Sequence, residues 1–468
     1  MVFSSLSFLF FFLPTVLIAY FALPWRRAKN TVLLIFSLFF YAWGEPKVIL
    51  LMIAATLVAY FGGLLGEKYG AEGRTKAKKA VFILTVCLIT SALAVFKYLN
   101  FAVENIESLF SVDLPFKEIA LPIGISFYTF QILSYCIDLY RGQVSLQRNF
   151  FDLLLYVSLF PQLIAGPIVR YSDVDSELSS RKETLDDVAA GLRRFSVGLA
   201  KKVILSNNIA AISTLIYSGN TDFYGSGFYW LAALAYALHI YFDFSGYSDM
   251  AIGLGRVFGF RFGENFNYPY TATSVTDFWR RWHISLSSWF RDYIYIPLGG
   301  NRVSRSRWIF NICAVWLLTG LWHGAEWNFV LWGGYYALLL LIDKLFLGKL
   351  LARLPKLLSG LFTFFWVTLG WVLFNADGLA PALENLRIMF SGIPSDVFAA
   401  VAADSSLLYA LIYIPLGLVC IFPWAKRIKL PDSLAGESLK NAASLALFGM
   451  SLVYLVSSGF NPFIYFRF

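Results

Sequence analysis

The chain has 468 residues, of which 58% are hydrophobic and only 14% are charged. Soluble domains carry about 25% charged residues, so this composition excludes a water-soluble globular protein. Uncharged windows cover about half of the sequence, and most reach the roughly 17–25 residues that a bilayer span requires. Because these windows are apolar throughout rather than alternating, they exclude a transmembrane β-barrel. The sequence therefore predicts an all-α polytopic membrane protein.

Loop charge predicts the orientation of the chain in the membrane. The net charge is +9, and in a membrane protein such an excess marks cytoplasmic loops rather than binding of nucleic acid. The loops 24–30 and 67–79 are basic, whereas 98–118 is acidic. We therefore expect both basic loops in the cytoplasm, and the N-terminus and 98–118 on the other side.

Two segments depart from the pattern of simple spans. Segment 183–217 is amphipathic and basic, and we expect it to lie along the membrane interface. Segment 243–307 mixes Arg, Asp, Gly and aromatic residues between apolar windows. Lipid cannot satisfy irregular backbone, so this segment is expected to line a cavity or to lie at the interface.

The sequence contains three histidines, the side chain that most readily moves a proton near neutral pH. His323 ends an uncharged window in the run Trp322-His323-Gly324. Gly320 and Gly324 are expected to leave open space beside its ring. A histidine in a span is costly and therefore a functional candidate; the alternative is a structural histidine bonded to a neighbouring helix.

His283 lies in a stretch where arginines and aromatic residues alternate, from Asp277 to Tyr293. Arginines bind anions such as phosphates, and they and tryptophans stack on planar rings. The pattern therefore suits recognition of a nucleotide-bearing cofactor. The alternative, equally favoured by the residues alone, is a basic and aromatic belt that anchors a helix at the interface.

His239 ends an apolar window, and the pattern favours a structural role for it. Asp243 and Asp249 follow among aromatic residues. We expect these carboxylates to form ion pairs that hold the fold together rather than to act in catalysis. Their candidate partners are Arg256, Arg261, Arg280 and Arg281.

Several motifs of other enzyme classes are missing from the sequence. There is no Walker A loop, dinucleotide fingerprint, H-E-x-x-H or G-x-S-x-G motif, so ATP-driven transport, redox chemistry, zinc hydrolysis and a hydrolase-type serine are unsupported. The four cysteines are scattered through apolar windows without metal-ligand spacing. They are predicted to be buried hydrophobes, and neither a metal site nor a permanently bound cofactor is expected.

Four stretches together carry a family resemblance. The run from Phe278 to Arg302 resembles the signature of the membrane-bound O-acyltransferases, and Leu321-Trp-His323-Gly resembles the histidine motif of that family. The stretches 160–170 and 241–255 are similar to its alginate O-acetylase branch. The resemblance covers essentially the whole chain, with a weaker similarity to the D-alanine-exporting acyltransferase of teichoic acid modification.

This resemblance implies one membrane domain over 1–468, with a motif-bearing catalytic core at 119–345. The implied fold is a ring of roughly 10–12 transmembrane helices, with re-entrant or interfacial helices, around a central tunnel. His323 corresponds to the catalytic histidine of the family and His283 to a second, upstream polar position, whereas His239 matches no catalytic position. The implied reaction moves an acyl group from a thioester to a hydroxyl, a step that a histidine base accelerates.

The resemblance also implies a cytoplasmic acyl donor, acetyl-CoA or another thioester, carried by coenzyme A or by an acyl carrier protein. Arginines near a cytoplasmic mouth would attract the phosphates of such a donor. The predicted donor-binding residues are Arg280, Arg281, Trp282, Arg291, Arg302 and Arg305.

The C-terminal tail, 461–468, is aromatic and follows a helix-breaking Asn461-Pro462 pair. It resembles the aromatic motif on the small membrane partner of D-alanylation systems. One interpretation is an interfacial anchor, since aromatic residues belong at that depth. The other is an acyl relay, in which Tyr465 accepts the acyl group as a phenol ester.

The sequence thus predicts an O-acyltransferase, in the first place an O-acetylase, of the bacterial cytoplasmic membrane. Its expected acceptor is an exported polysaccharide or cell-wall polymer, and its expected partner, besides the lipid bilayer, is an extracytoplasmic transferase of the serine-hydrolase type. The alternatives are a lipid O-acyltransferase of the same family and a non-catalytic transporter or scaffold of a polymer export system. A transporter would be expected to show internal symmetry, which the sequence does not show.

Overall fold

The apolar windows of the sequence fold as helices. The computed structural model describes residues 1–219, 223–427, 431, 433–457 and 463, with only the backbone at 425 and 426. Every regular segment among these residues is helical, which confirms the all-α prediction. The first helices are α1 (Leu13–Phe21), α2 (Arg26–Ala42), α3 (Ile49–Ala71), α4 (Thr75–Phe110), α5 (Ile125–Arg141), α6 (Phe150–Ser158), α7 (Tyr171–Ser180) and α8 (Leu185–Ala200).

The second part of the chain contains the longer series. Its helices are α9 (Asn207–Ser218), α10 (Ser226–Val257), α11 (Val275–Arg281), α12 (Ile284–Phe290), α13 (Arg305–His323), α14 (Trp327–Ile342), α15 (Gly348–Leu351), α16 (Lys356–Asn375), α17 (Leu379–Phe390), α18 (Val397–Ala403), α19 (Ala410–Cys420), α20 (Trp424–Arg427) and α21 (Leu434–Ser457). Short 3₁₀ turns occur at Pro269–Thr271 and Ser405–Tyr409.

Several helices contain a π-helical turn, a widened turn that is frequent at functional sites. The turn Arg291–Tyr295 continues α12, and the turn Asp343–Leu347 joins α14 to α15. Lys201–Ser206 joins α8 to α9 in the same way, and Phe8–Phe12 precedes α1.

Six helices of the described chain are long and apolar enough to cross a membrane, or seven if the bent pair Val397–Ala403 and Ser405–Cys420 is one span. The six are Ile49–Ala71, Thr75–Phe110, Leu185–Ser218, Trp327–Leu351, Lys356–Asn375 and Leu434–Ser457. The segment expected along the interface, 183–217, therefore forms a helix that meets the criteria for a span. The remaining apolar windows form shorter or more polar helices, such as Phe8–Phe21. The protein is a multi-pass membrane protein.

The chain forms two compact units, one of residues 1–195 and 250–263 and the other of residues 196–249 and 264–468. The first unit has an aromatic core in which Phe3, Phe8, Phe12, Phe40 and Phe160 pack with centroids of contacting rings 4.9–6.4 Å apart. Rings of this size bury much apolar area, and their tilted and edge-on contacts are the favoured aromatic geometries.

A buried carboxylate also links helices of the first unit. Glu183 accepts hydrogen bonds from Arg26 and Tyr20, and Lys29 Nζ lies 3.3 Å from its Oε2. Arg181, fully buried beside it, donates to the Phe258 carbonyl at 2.9 Å. The cluster thus fastens α1 and α2 to the connection between α7 and α8.

In the second unit, glycines let α13 and α14 pack closely. A Cβ atom on Gly320 would overlap the Phe329 carbonyl, and one on Gly333 would meet the Trp316 carbonyl. The two glycines face each other, because a Cβ on Gly320 would lie 3.3 Å from the Gly333 Cα. This close approach places the end of α13 against α14.

Two ion pairs fasten α10 to the π-helical turn Lys201–Ser206. Lys202 Nζ lies 2.5 Å from Asp243 Oδ1, and Lys201 Nζ lies 2.6 Å from Asp249 Oδ2. The sequence predicted Arg256, Arg261, Arg280 and Arg281 as the partners of these carboxylates, and that prediction was wrong. Lysines of the π-helical turn form the two ion pairs instead. Phe463 is buried against the same place, its ring 4.5 Å from Lys202 Nζ.

Candidate active site

A cavity of about 230 Å³ in the second unit brings together both histidines that the sequence singles out. It lies among α11, α12 with its π-helical turn, α13 and the end of α14. His283 and His323 line it together with aromatic and small polar side chains. The other lining residues include Thr276, Trp279, Trp282, Leu286, Ser287, Phe290, Ile312, Val315, Trp316, Thr319 and Leu340.

His323 is the last residue of α13 and is 3% exposed. The helix ends there because Gly324 turns the chain into extended backbone. The His323 ring packs edge-on against Trp332 at 5.0 Å and Phe374 at 5.1 Å between centroids. The expectation of open space at Gly320 and Gly324 was wrong: α14 fills the first, and the Phe329 ring would overlap a Cβ on the second. These glycines give close packing and are not among the residues that line the cavity.

His283 precedes α12 and adopts a left-handed backbone conformation with φ of +44°. Such a conformation is strained for a residue other than glycine and is typical of functional sites. The ring is 1% exposed and packs edge-on against Phe244, with centroids 4.6 Å apart. Burial lowers the pKa of His283 well below its ordinary value, because an apolar surrounding disfavours the charged imidazolium. The side chain is therefore neutral at pH 7.

Asn265 is a polar neighbour of His283. Its side-chain Oδ1 lies 3.1 Å from His283 Nδ1, and its backbone carbonyl accepts from the Ile284 N–H at 2.9 Å. Asn265 is fully buried. Asn265 thus contacts both the His283 ring and the strained backbone at His283.

The cavity is positively charged where it meets the protein surface. Arg280, Arg291 and Lys344 line it, and Arg291 and Lys344 also line an adjoining open groove of about 720 Å³ that includes Arg305. The shared residues place the groove next to the cavity. Arg291 pairs with Asp292 at 2.6 Å, whereas Arg280 and Lys344 form no ion pair with a carboxylate that the structure describes.

The remaining predicted donor residues have different positions. Trp282 lines the cavity and is fully buried, with the Trp371 ring 4.7 Å away. Arg281 instead forms an ion pair with Asp277 at 2.9 Å within α11 and is not among the lining residues. Arg302 is exposed and lines neither the cavity nor the groove.

Comparison with known proteins identifies the family. The model of the membrane-bound O-acyltransferase family matches residues 145–352, which include both histidines. A probable alginate O-acetylase of Pseudomonas aeruginosa is 44% identical over 84% of this chain and 75% of its own length.

The chain belongs to the membrane-bound O-acyltransferase family. A peptidoglycan O-acetyltransferase of Helicobacter pylori is 32% identical over 100% of this chain and 98% of its own length. A teichoic acid D-alanyltransferase of Bacillus subtilis is more distant, 29% identical over 54% of this chain and 68% of its own length. These findings confirm the family resemblance and show that this membrane-bound O-acyltransferase is an enzyme that transfers acyl groups.

Two residues of this acyltransferase site were missed in the sequence. Lys344 lies two residues after Ile342, the end of α14, where a cation indicates the end of a span before it indicates a ligand. Asn265 lies in the irregular stretch Glu264-Asn-Phe-Asn. An amide side chain among aromatic residues was the available signal. It did not identify His283 as the partner, because that residue is 18 positions away in the sequence.

Two further predictions concern residues outside this cavity. His239 lies within α10, its ring 5.8 Å from Tyr236, and is not among the lining residues; its structural role stays a prediction. Tyr465 and the rest of the aromatic tail, apart from Phe463, lie outside the residues that the structure describes.

Proposed function

We propose that this acyltransferase moves an acyl group, in the first place acetyl, from a cytoplasmic thioester to hydroxyls of an exported polysaccharide or cell-wall polymer. The observation that carries the proposal is one cavity lined by His283, His323 and two cations, Arg280 and Lys344, that form no ion pair with the carboxylates the structure describes. Relatives named for alginate and peptidoglycan O-acetylation support the choice of acetyl group and of polymer. The proposed location is the bacterial cytoplasmic membrane.

In the proposed chemistry His323 is the general base. A hydroxyl oxygen attacks the thioester carbonyl carbon while His323 takes its proton. The carbon–sulfur bond then breaks, and the thiolate that leaves recovers that proton from His323 as a thiol. General base catalysis contributes typically ~10²–10⁴-fold in rate. The aromatic walls of the cavity support this step, because exclusion of water suppresses hydrolysis of the thioester.

Donor capture is proposed for the basic mouth. Arg280, Arg291, Lys344 and Arg305 present positive charge along the cavity and groove, which suits the phosphates of coenzyme A or of a phosphopantetheine arm on an acyl carrier protein. Trp282 forms part of the wall beside the acyl arm. Arg281 and Arg302 contribute to the local positive potential without lining the cavity.

An acyl relay is proposed for the transfer across the membrane. The hydroxyl that attacks the donor is the phenol of Tyr465, the only side-chain hydroxyl of the tail 461–468. The resulting phenol ester is a good acyl donor, because the phenolate of a group with a pKa of ~10 leaves readily. An extracytoplasmic transferase of the serine-hydrolase type then unloads the ester and passes the acyl group to the polymer.

The decisive experiment measures acyl transfer by the full chain in lipid nanodiscs. Labelled acetyl-CoA is supplied, and acetyl bound to protein and free thiol are measured for the wild type and for His323→Ala. We expect His323→Ala to lower the rate by ~10²–10⁴-fold. His239→Ala is the matched control, because it removes a histidine of α10 that does not line the cavity. Wild-type thiol release by a well-folded His323→Ala protein would refute the proposal.

The donor class is tested in the same assay. Acetyl-CoA and an acetylated acyl carrier protein are supplied at equal concentration, and the rates are compared. Turnover with only one of them assigns the donor. Acetyl transfer to lipid, with none to protein or polymer, would refute the polymer pathway and favour the lipid O-acyltransferase alternative.

A further inference from the structure

Asn265 is at the centre of a buried hydrogen-bond network that ends at His283. Its Nδ2 donates to Ser248 Oγ at 3.1 Å, on α10. Its Oδ1 accepts from the Ser285 backbone N–H at 3.2 Å and from Ser285 Oγ at 2.9 Å. The same Oδ1 faces His283 Nδ1 at 3.1 Å. Side chains of Asn265, Ser248 and His283 are all nine-tenths or more buried.

The orientation of the Asn265 amide follows from the backbone. The N–H of Ser285 can only donate, so the Asn265 atom that it contacts must be the oxygen rather than the nitrogen. The Ser248 hydroxyl then accepts from the amide nitrogen, which is consistent with its position. The backbone N–H of Ser285 therefore determines which end of the Asn265 amide is the oxygen, because the position of its hydrogen is known. A hydroxyl group could not determine this, because it can either donate or accept.

The orientation of this amide fixes the protonation of the histidine ring. Asn265 Oδ1 can only accept, so its 3.1 Å contact with His283 Nδ1 is a hydrogen bond when Nδ1 carries the proton. Ser285 Oγ also lies 3.5 Å from Nδ1, but its proton is directed to Asn265 Oδ1 at the shorter distance of 2.9 Å. The ring is neutral at pH 7, because burial lowers its pKa. A neutral imidazole holds one proton, so the other ring nitrogen, Nε2, has a lone pair.

We propose that Asn265 is a positioning residue that locks His283 in the Nδ1–H tautomer and thereby makes Nε2 a hydrogen-bond acceptor at the acyl-transfer cavity. This inference rests on the proposed function and assigns His283 a role different from that of His323. His323 takes the proton of the attacking hydroxyl. His283 accepts a hydrogen bond from a hydroxyl and orients it, and in this tautomer it cannot donate to an oxyanion through Nε2.

The strained turn supports the same role. His283 has a φ of +44°, and a conformation of that kind persists only where the surroundings hold it. Asn265 supplies those contacts through its own carbonyl, which accepts from Ile284, and through Oδ1, which accepts from Ser285. Backbone and ring of His283 are thus held by one residue, which preserves the ring orientation between catalytic cycles.

The test is nitrogen NMR on the full chain labelled with ¹⁵N-histidine. The chain has only three histidines, so His239→Gln and His323→Gln assign the signals of His283 by difference. Protonated and unprotonated ring nitrogens give well-separated resonances. The proposal expects a protonated Nδ1 and an unprotonated Nε2 for His283 in the wild type. The opposite tautomer in the wild type would overturn it without any variant at 265.

Variants of Asn265 connect the tautomer to the rate. Asn265→Leu removes the acceptor, and we expect mixed or inverted tautomer signals with kcat lowered about 10–100-fold, the usual effect of losing an orienting partner. Asn265→Asp keeps an acceptor oxygen, so Nδ1 should stay protonated, while the new carboxylate should raise the pKa of the ring because an opposite charge favours the imidazolium. Ser248→Ala, which removes only the outer hydrogen bond, should retain the tautomer.

The outcomes separate this inference from the proposed function. An Asn265→Leu protein with the wild-type tautomer, or one with a changed tautomer and unchanged kcat, would overturn the positioning role. If instead His323→Ala keeps full activity while Asn265→Leu changes the tautomer as expected, the proposed base is wrong and the lock on His283 stands.

Discussion

Lys202 and Asp243 form an ion pair of 2.5 Å in which both side chains are fully buried. Removing one partner of such a pair leaves an uncompensated buried charge, which destabilises a protein by ~3–5 kcal/mol. We expect Lys202→Met to lower the thermal unfolding midpoint sharply, and Lys202→Met with Asp243→Leu to recover much of the loss. Unfolding in detergent, followed for both variants as a double-mutant cycle, measures the coupling.

The control for this pair is an exposed one. Arg387→Met breaks the contact with Glu384, where both side chains are at least half exposed, and should hardly change the midpoint because exposed ion pairs contribute little. If Lys202→Met and Arg387→Met lowered the unfolding midpoint equally, the buried ion pair would contribute no more to stability than the exposed one.

The basic mouth makes a kinetic prediction. Arg280→Gln combined with Lys344→Gln should raise the KM for acetyl-CoA by about 10-fold or more, since hydrogen bonds to charged groups contribute ~1.5–3 kcal/mol. The kcat at saturating donor should change much less, because neither side chain is proposed to act at the thioester. Steady-state kinetics in nanodiscs measure both parameters.

A matched double variant removes the same charge elsewhere. Lys349→Gln with Arg353→Gln neutralises two exposed cations that follow Lys344 in the chain and line neither the cavity nor the groove. An equal rise in KM for both double variants would show that net charge, and not the cavity, captures the donor.

The proposed acyl relay predicts that acyl transfer depends on the hydroxyl oxygen of Tyr465. Tyr465→Phe keeps the aromatic tail and removes the hydroxyl, so acetyl bound to the protein and acetyl on the polymer should both fall to background. Mass spectrometry of the C-terminal peptide, together with assay of the polymer, measures the two. Tyr409→Phe, at an exposed tyrosine, is the control; wild-type polymer acetylation by Tyr465→Phe would mean that the tail is an anchor.

Glu183 predicts a pH dependence of stability. Burial alone would raise its pKa, but hydrogen bonds from Arg26 and Tyr20 outweigh burial and lower the pKa to about 2. A lowered folded-state pKa stabilises the fold above the ordinary glutamate pKa of ~4.3. That stabilisation is lost as the pH falls from there through about 2. Glu183→Gln should therefore be less stable than wild type at pH 7, and the difference should shrink towards pH 3; unfolding midpoints at both pH values test this.

The all-α class was predictable from the sequence, because long apolar runs are local signals. His283 and His323 could be chosen as candidate site residues for the same reason, because a histidine within or beside such a run is rare. Partner choice was not predictable. Asp243 pairs with Lys202 rather than with one of the four predicted arginines because α10 packs on the preceding π-helical turn, and charge alone does not specify that packing.

The roles of the glycines and the long-range hydrogen bonds were also not predictable from the sequence. Gly320 indicates either open space or a close helix approach, and only the position of α14 decides between them. The contact of Asn265 with His283 depends on an irregular connection whose path no periodicity encodes. Sequence signals therefore located the two histidines of the cavity and left their neighbours undetermined.

The π-helical turns at the mouth have an evolutionary consequence. Each is equivalent to one residue inserted into an α-helix, and each contributes mouth residues: Arg291 and Tyr295 from one, Lys344 from the other. An α-helix advances about 100° per residue, so deletion of a single codon would rotate the following side chains to another face. Under the proposed function, such a change in the turn Asp343–Leu347, which follows both histidines in the chain, would re-aim the donor entrance, so that donor choice and chemistry could evolve separately.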